Sequence, residues 1–94
     1  MKELTKSDFK RAISGRLRRR IAAGKINSGE DVAELRRFIN LTQVEFANAM
    51  GISVYTLRNW EQGRRVPEGP ALALLRIAAR HPRIIRLNLD SSAA

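Results

Sequence analysis

Residues 42–63, with the sequence TQVEFANAMGISVYTLRNWEQG, contain the pattern that decides the fold. Thr42 and Glu45 have the spacing of a capping box, which predicts that a helix begins directly after Thr42. Gly51 predicts the end of this helix, because glycine adopts the left-handed conformation that closes helices without steric strain. Ser53 is suited to cap a second helix, so the segment is predicted to be two short helices joined by a tight turn.

The second helix is predicted over about Val54–Gln62, with Leu57 and Trp60 on its inner side. Its steep angle to the first helix would let it enter the major groove of double-stranded DNA. The residues expected to read bases from its outward face are Val54, Tyr55, Arg58 and Asn59. Arg58 can contact two acceptors of guanine and Asn59 an adenine edge, and such bidentate pairs distinguish bases by roughly 1–3 kcal/mol. The alternative is that these are ordinary solvated residues of a surface helix.

Contacts to DNA phosphates are expected from the helix starts and from the residues that follow the second helix. Free backbone N–H groups and the positive end of the helix dipole favour an anion at a helix start. The residues expected to bind phosphate are Thr42, Gln43, Ser53, Gln62, Arg64 and Arg65. For the two arginines, the alternative is a solvated loop.

Three further helices are predicted around this pair. One covers about Glu30–Asn40, and Pro70 begins another, since proline suits the first helical position. A short last helix begins at Pro82, and residues 90–94 are expected to form a disordered tail. The sequence therefore predicts an all-α domain of five helices over residues 30–89.

Residues 1–29 are predicted to form an extra basic helix and a linker, as an arm separate from this domain. The helix has an apolar stripe of residues spaced four apart, namely Phe9, Ile13, Leu17 and Ile21. Its other face is basic, because residues 1–30 contain nine basic and three acidic side chains, a net charge of +6. Gly24 predicts the end of the helix.

The charge of the whole chain indicates a polyanionic partner. The chain has 18 Lys and Arg residues against nine Asp and Glu residues, which gives a net charge of +9 over 94 residues. Such an excess on a small protein is typical of nucleic-acid binding. The alternative is that the basic residues only keep the protein soluble.

Several classes of protein are excluded by length and composition. The 94 residues suit one domain, and the absence of cysteine excludes disulfides and thiolate metal sites. We see no signal peptide and no apolar run long enough to span a membrane, so we expect a cytoplasmic protein without membrane contact.

No residues form a plausible catalytic set, so we expect neither enzyme activity nor a cofactor or metal. His81 is the only histidine, and its place at a predicted helix end fits a helix cap better than a base or a ligand. The carboxylates are scattered, and the chain has no glycine-rich phosphate loop.

A homodimer is expected, because a single helix-turn-helix contacts too little DNA for high specificity. A twofold dimer reads two half-sites of a palindromic operator about 34–36 Å apart. The apolar residues in excess of the needs of a four-helix core are Leu72, Ile77, Ile84, Ile85, Leu87 and Leu89. These are the candidates for the dimer face, and intramolecular packing of the last helix is the alternative for about half of them.

The segments LTQVEFA at 41–47, MGIS at 50–53 and LRNWEQGRRVP at 57–67 resemble the Xre, or phage-repressor-like, helix-turn-helix family. This resemblance implies a fold of five short helices and base reading by the third of them. It also implies a structural ion pair between the first and third helices, which falls on Arg36 and Glu61. We read this pair as structural, because a lone buried charge is too costly to keep.

Residues 59–67, together with Leu74-Leu75-Arg76 and His81-Pro82, are similar to antitoxins of the HigA, MqsA and NadS kind. The resemblance implies a bacterial repressor that regulates its own operon as a dimer and neutralises a RelE/HigB-like RNase toxin. Such antitoxins often bind the toxin through an N-terminal segment, here residues 1–29.

The charge of this segment leaves other interpretations open. A basic arm would repel a basic toxin, so the arm could instead lie on DNA or bury its apolar stripe against another partner. A repressor of free-standing or phage origin, without a toxin, is the alternative within DNA binding. From another class, a protein-interaction module that uses the basic arm is the alternative.

Overall fold

The computed structural model describes the backbone of residues 15–93 and the side chains of residues 15–89. Within these residues the chain forms six helices and no strand, so the predicted all-α class is confirmed. The helices are α1, described over 15–22, and α2 (Gly29–Ile39), α3 (Gln43–Met50), α4 (Val54–Glu61), α5 (Pro70–Arg80) and α6 (Pro82–Ala93).

The core lies where α2, α3, α4 and α5 meet. Its largest fully buried side chains include Leu35, Phe46, Leu57 and Leu75, one from each of these helices. Trp60 is also buried, as its place on the inner side of α4 predicted. Because apolar residues three and four apart share one face of a helix, each short helix contributes a single stripe to this core.

The described part of α1 belongs to the same core. Leu17 and Ile21 are buried in it, and the Ile21 side chain is fully inaccessible to solvent. The expectation of a separate arm is therefore wrong for α1, since these two residues of the apolar stripe are covered by the chain itself. Phe9 and Ile13, the other two residues of the stripe, lie outside the described residues.

Polar contacts hold α1 in place as well. Arg20 forms an ion pair with the buried carboxylate of Asp31 in α2, with 2.6 Å between Nη2 and Oδ1. Asp31 also accepts a hydrogen bond from the backbone N–H of Asn27 at 2.8 Å. The segment between α1 and α2, predicted to be a linker, is thus bonded to the start of α2.

Side chains of α5 and α6 bond to the carboxyl ends of the first three helices. The last carbonyl groups of a helix have no partner within it, so they accept hydrogen bonds from elsewhere. Arg80 donates to the carbonyl oxygen of Ala22, Arg86 to that of Ile39 and Asn88 to that of Ala49. The C-terminal helix pair therefore fastens α1, α2 and α3 together.

The last helix differs from its predicted form. It extends to Ala93, beyond the predicted end near Leu89 and into the segment expected to be disordered. Ile85 is buried in the core and Leu89 packs against it, so the proposal of Ile85 as a dimer contact is wrong. His81 lies at the C-cap of α5, where its backbone N–H donates to the carbonyl oxygen of Ile77.

The approach of α2 to α4 depends on Gly29. A β-carbon at this position would lie against the backbone carbonyl oxygens of Trp60 and Glu61, far inside van der Waals contact. Glycine therefore lets the first turn of α2 rest directly on the last turn of α4.

Among the described residues, no helix combines the length and apolar character needed to cross a membrane.

Candidate nucleic-acid interface

The predicted capping box at the start of α3 is present. The Thr42 hydroxyl accepts a hydrogen bond from the backbone N–H of Glu45 at 3.1 Å, and the Glu45 carboxylate accepts one from the backbone N–H of Thr42 at 2.9 Å. The hydrogen bond from the Thr42 backbone is the main cause of a lowered pKa of Glu45. Gly51 closes the helix in the left-handed conformation, with φ of 72°, as predicted.

The start of α4 is fixed by Ser53. Its hydroxyl oxygen accepts a hydrogen bond from the backbone N–H of Thr56 at 3.0 Å. Two capped helices joined through Gly51 are the arrangement that the sequence predicted, and α4 packs against α3 like the second helix of a helix-turn-helix.

The outward face of α4 presents an aromatic ring and a guanidinium group. Tyr55 is 70% exposed and Arg58 is also exposed, while Val54 is half-buried against the core. Asn59 is only 7% exposed, so its predicted position on the outward face is wrong. Residues 58 and 59 point about 100° apart around a helix, and this turn is enough to place Asn59 on the inner side.

Behind this face, Arg36 and Glu61 form a nearly buried ion pair, as the family resemblance implied. Arg36 donates two hydrogen bonds to the Glu61 carboxylate, at 2.8 Å from Nε and 3.1 Å from Nη2. Its third nitrogen donates to the carbonyl oxygen of Leu41 at 3.1 Å. The pair therefore joins α2 to the end of α4, and Arg36 also bonds to Leu41, two residues before the start of α3.

Gln43 connects this ion pair to the exposed face. Its amide nitrogen donates to Glu61 Oε1 at 3.1 Å, and its amide oxygen accepts from Arg58 Nε at 3.2 Å. The side chains of Arg36, Glu61, Gln43 and Arg58 thus form one continuous chain of hydrogen bonds.

The other residues expected to bind phosphate surround this face. Thr42, Ser53, Gln62, Arg64 and Arg65 are all exposed, and Gln43 is half-buried. The carbonyl oxygen of Asn59 accepts hydrogen bonds from the backbone N–H groups of Arg64 and Arg65, at 2.9 and 3.3 Å. The loop after α4 is thereby folded back onto the helix with both arginine side chains in solvent.

Sequence reasoning missed Arg37, which with Arg36 and Asn40 lines a cleft beside Thr42. Arg37 is exposed and donates to Glu30 at 2.9 Å, a hydrogen bond that raises the pKa of Arg37. The sequence could have indicated Arg37, because it is a basic residue in the last turn of the helix that precedes α3. The link from Gln43 to Arg58 had no such signal, because it joins residues that only the crossing of α3 and α4 brings together.

The arrangement of these exposed side chains is suited to binding nucleic acid. Within the part of the chain that the structure describes, no three His, Cys, Asp or Glu side chains are grouped so that they could hold a metal ion. The exposed groups on and beside α4 are hydrogen-bond donors, cations and one aromatic ring, which suit base edges and phosphates.

Comparisons with known proteins point to one family. The protein-family model described as the antitoxin component of bacterial toxin-antitoxin system, MqsA, matches residues 2–87. Antitoxin HigA-2 of Vibrio cholerae serotype O1 (strain ATCC 39315 / El Tor Inaba N16961) is 42% identical over 60 residues, which are 63% of this chain and 58% of that protein. The chain thus matches little more than half the length of this relative. No solved structure matches the chain with significance.

A second relative is an enzyme. Type II methyltransferase M.SsoII of Shigella sonnei is 41% identical over 49 residues, which are 49% of this chain and only 13% of the enzyme. The similarity therefore concerns a small segment of the methyltransferase.

Proposed function

The chain belongs to the MqsA family of antitoxin components of bacterial toxin-antitoxin systems, and from this premise we propose that it is a sequence-specific DNA-binding repressor. The observation that carries the proposal is the exposed face of α4. It presents Tyr55 and Arg58 between two capped helix starts and the exposed arginines at 64 and 65. A short helix with donors on its outer face, a capped helix start beside it and cations after it is complementary to a major groove between two phosphate backbones.

In this function α4 lies in the major groove and Arg58 contacts a guanine. The Tyr55 ring packs on a thymine methyl group, and Val54 adds apolar contact at the start of the helix. Asn59 takes no part in base reading, because it is buried. Its carbonyl oxygen instead positions the loop that contains Arg64 and Arg65.

Phosphate contacts fix the helix in the groove. The exposed cations after α4 contact one backbone, and the capped start of α3 contacts the other. The groups assigned to phosphate are the side chains of Thr42, Gln43, Ser53, Gln62, Arg64 and Arg65, to which the structure adds Arg37. Such contacts set affinity and its salt dependence and carry no sequence information.

The repressor acts as a homodimer on a palindromic operator. Support comes from the exposed apolar side chains of α5 and α6, here called the apolar patch: Ile77, Ile84 and Leu87 are 43%, 52% and 52% exposed. Large apolar side chains left exposed on a small protein favour a contact with another molecule. A second copy covers the patch while presenting two α4 helices to successive major grooves.

The toxin partner is a RelE/HigB-like RNase encoded in the same operon, whose promoter the protein represses. Support for this part comes from the family and from the similarity to Antitoxin HigA-2. The contact uses residues 1–29, and within the described part the exposed Arg16, Arg19 and Lys25 are available, whereas Leu17 and Ile21 are not. A gene for a RelE-like protein beside this one, and copurification of the two products, would support this partner.

The DNA-binding proposal is tested by selection from a pool of randomised DNA duplexes, followed by titrations of the selected duplex at several salt concentrations. We expect a palindromic sequence to be enriched and the logarithm of affinity to fall linearly with the logarithm of salt concentration. Binding to a protein partner that is insensitive to salt, with no binding to duplex DNA, would contradict the proposal and favour a protein-interaction module.

A further inference from the structure

The Glu61 carboxylate determines how the Gln43 amide is oriented. Carboxylate oxygens can only accept hydrogen bonds, and those of Glu61 already accept two from Arg36. The Glu61 side chain is 7% exposed, so water contributes little to its hydrogen bonding. Gln43 can therefore approach Glu61 only with its NH2 group, as the 3.1 Å distance from Nε2 to Oε1 records.

This orientation leaves the Gln43 amide oxygen facing Arg58. The oxygen accepts from Arg58 Nε at 3.2 Å. The opposite orientation of the amide would direct an NH2 group at a guanidinium group, and two donors cannot bond to each other. The buried ion pair thus decides, through one amide, that an acceptor stands beside the exposed arginine.

The hydrogen bond from Arg58 Nε to Gln43 leaves the other edge of the guanidinium group, formed by Nη1 and Nη2, available to a ligand. Within the described residues neither Nη1 nor Nη2 of Arg58 has a hydrogen-bond partner, and the residue is exposed. These two nitrogens present parallel N–H groups, whose spacing matches the O6 and N7 acceptors of guanine. A guanidinium group already held at Nε also loses less conformational freedom when it binds.

We propose that Gln43 is a positioning residue for base recognition, which holds Arg58 so that its Nη1–Nη2 edge reads one guanine. The Arg36–Glu61 pair sets the orientation of Gln43 and so contributes to sequence specificity as well as to folding. This inference rests on the proposed function, because it takes Arg58 to be a base-reading residue. It differs from the assignment of Gln43 to phosphate alone, which would affect all DNA sequences equally.

The test compares affinities for the selected operator and for a duplex in which the guanine read by Arg58 is replaced. Arg58→Ala identifies that guanine, since it removes the preference at one position. We expect Gln43→Ala to lower the ratio of the two affinities by roughly twofold to 150-fold, the range that corresponds to interaction energies between residues of one hydrogen-bond network. The double variant should lose no more discrimination than Arg58→Ala alone.

The matched control is Gln62→Ala, which removes the same type of side chain from an exposed position assigned to phosphate. It should weaken binding to both duplexes and leave their ratio unchanged. If Gln43→Ala behaves in the same way as this control, the positioning role is overturned while the proposed function stands. If the wild-type protein shows no preference among duplexes, the proposed function and the positioning role are both overturned.

A second variant tests the ion pair without removing either Gln43 or Arg58. Glu61→Gln supplies an amide that can also donate, so Gln43 is no longer confined to one orientation. We expect the affinity ratio to fall in this variant at temperatures where thermal unfolding shows it to be folded.

NMR of the free protein tests directly whether Gln43 holds the Nε–H group of Arg58. The NMR signal of the Arg58 Nε–H group should exchange slowly with water in the wild type and faster in Gln43→Ala and in Glu61→Gln. Unchanged exchange in both variants would overturn the positioning role.

Discussion

Arg58 and Asn59 are adjacent on α4, yet the fold gives them opposite environments. Arg58 projects into solvent and is held at Nε by Gln43, whereas Asn59 is buried. The carbonyl oxygen of Asn59 accepts from the backbone N–H groups of Arg64 and Arg65, so both arginine side chains start from a fixed backbone. In the proposed function, one short helix thus positions both the base-reading side chain of Arg58 and the phosphate-binding side chains of Arg64 and Arg65.

At the scale of single residues, we expect Arg64→Ala and Arg58→Ala to have different effects on DNA binding. Arg64→Ala should weaken binding to all sequences similarly and reduce the salt slope by about one, because one phosphate contact is lost. Arg58→Ala should relax the preference at one operator position and leave the fold intact. Titrations against operator and unrelated duplexes measure both effects. A change in sequence preference on removing Arg64 would contradict its assignment to phosphate.

Glu45 makes stability depend on pH. Its pKa is lowered in the folded protein, chiefly by the hydrogen bond from the Thr42 backbone. A lowered folded pKa stabilises the protein above the pKa of the unfolded state, and this stabilisation is lost as the pH falls through the folded pKa. The melting temperature of the wild type should therefore fall on acidification more than that of Glu45→Gln. The control is Glu68→Gln, since the exposed Glu68 carboxylate has no hydrogen bond among the described residues. The melting temperature of this variant should depend on pH as that of the wild type does.

At the scale of helices, the position of α4 in the fold depends on its close contact with α2. Gly29 allows this approach, and the Arg36–Glu61 pair fastens the same two helices further along α2. Because α4 has only eight residues, it has little stability of its own and takes its position from these contacts.

We expect Gly29→Ala to lower the free energy of unfolding by about 1–3 kcal/mol, since the added methyl group meets backbone atoms that cannot move aside. Gly15→Ala is the matched control. Its β-carbon would lie 3.7 Å from the flexible end of Arg19, and alanine favours a helix by roughly 0.5–1 kcal/mol over glycine. Denaturant unfolding of the two variants should give shifts of opposite sign. A loss of stability in the control equal to that of Gly29→Ala would show that crowding is not the cause.

Because Leu17 and Ile21 of α1 are buried in the core, α1 should contribute to the stability of the domain. Ile21→Ala should destabilise the domain by about 2–5 kcal/mol, because it opens a cavity at a fully buried position. Arg19→Ala on the exposed face of the same helix should change stability by no more than about 0.5 kcal/mol. Equal stabilities of the two variants in urea titrations would indicate an arm that does not contribute to the core.

For the whole molecule, the distribution of apolar side chains determines which surfaces can bind partners. The exposed patch on α5 and α6, formed by Ile77, Ile84 and Leu87, is carried by helices other than α4. A dimer formed through this patch would therefore leave α4 of each copy free to contact DNA. In the proposed dimer, the net charge of +9 on each chain would attract DNA.

Ile84→Glu should convert the proposed dimer to a monomer, because a charge in an apolar interface has no compensating partner. It should also weaken operator binding, since each monomer reads only one half-site. The control is Val44→Glu on α3, because Val44 is 53% exposed and Ile84 is 52% exposed. Sedimentation equilibrium should show a monomer for the first variant and a dimer for the second. A dimer in both cases would place the interface elsewhere.

Much of the fold follows from interactions between residues close together in the chain. The caps at Thr42 and Ser53 and the left-handed turn at Gly51 bond backbone groups within a few residues, so the amino-acid types predict them directly. The three-residue spacing of Leu57 and Trp60 likewise predicted that both lie on the inner side of α4.

Tertiary structure alone decided the features that depend on how helices cross. Sequence patterns showed that α1 has an apolar stripe, but only packing decided that Leu17 and Ile21 are covered by the chain's own core. The burial of Asn59 and the bond from Arg58 to Gln43 depend on the same geometry. A helical pattern defines a face of a helix but not the neighbour that covers it, because that choice depends on the packing of the whole core.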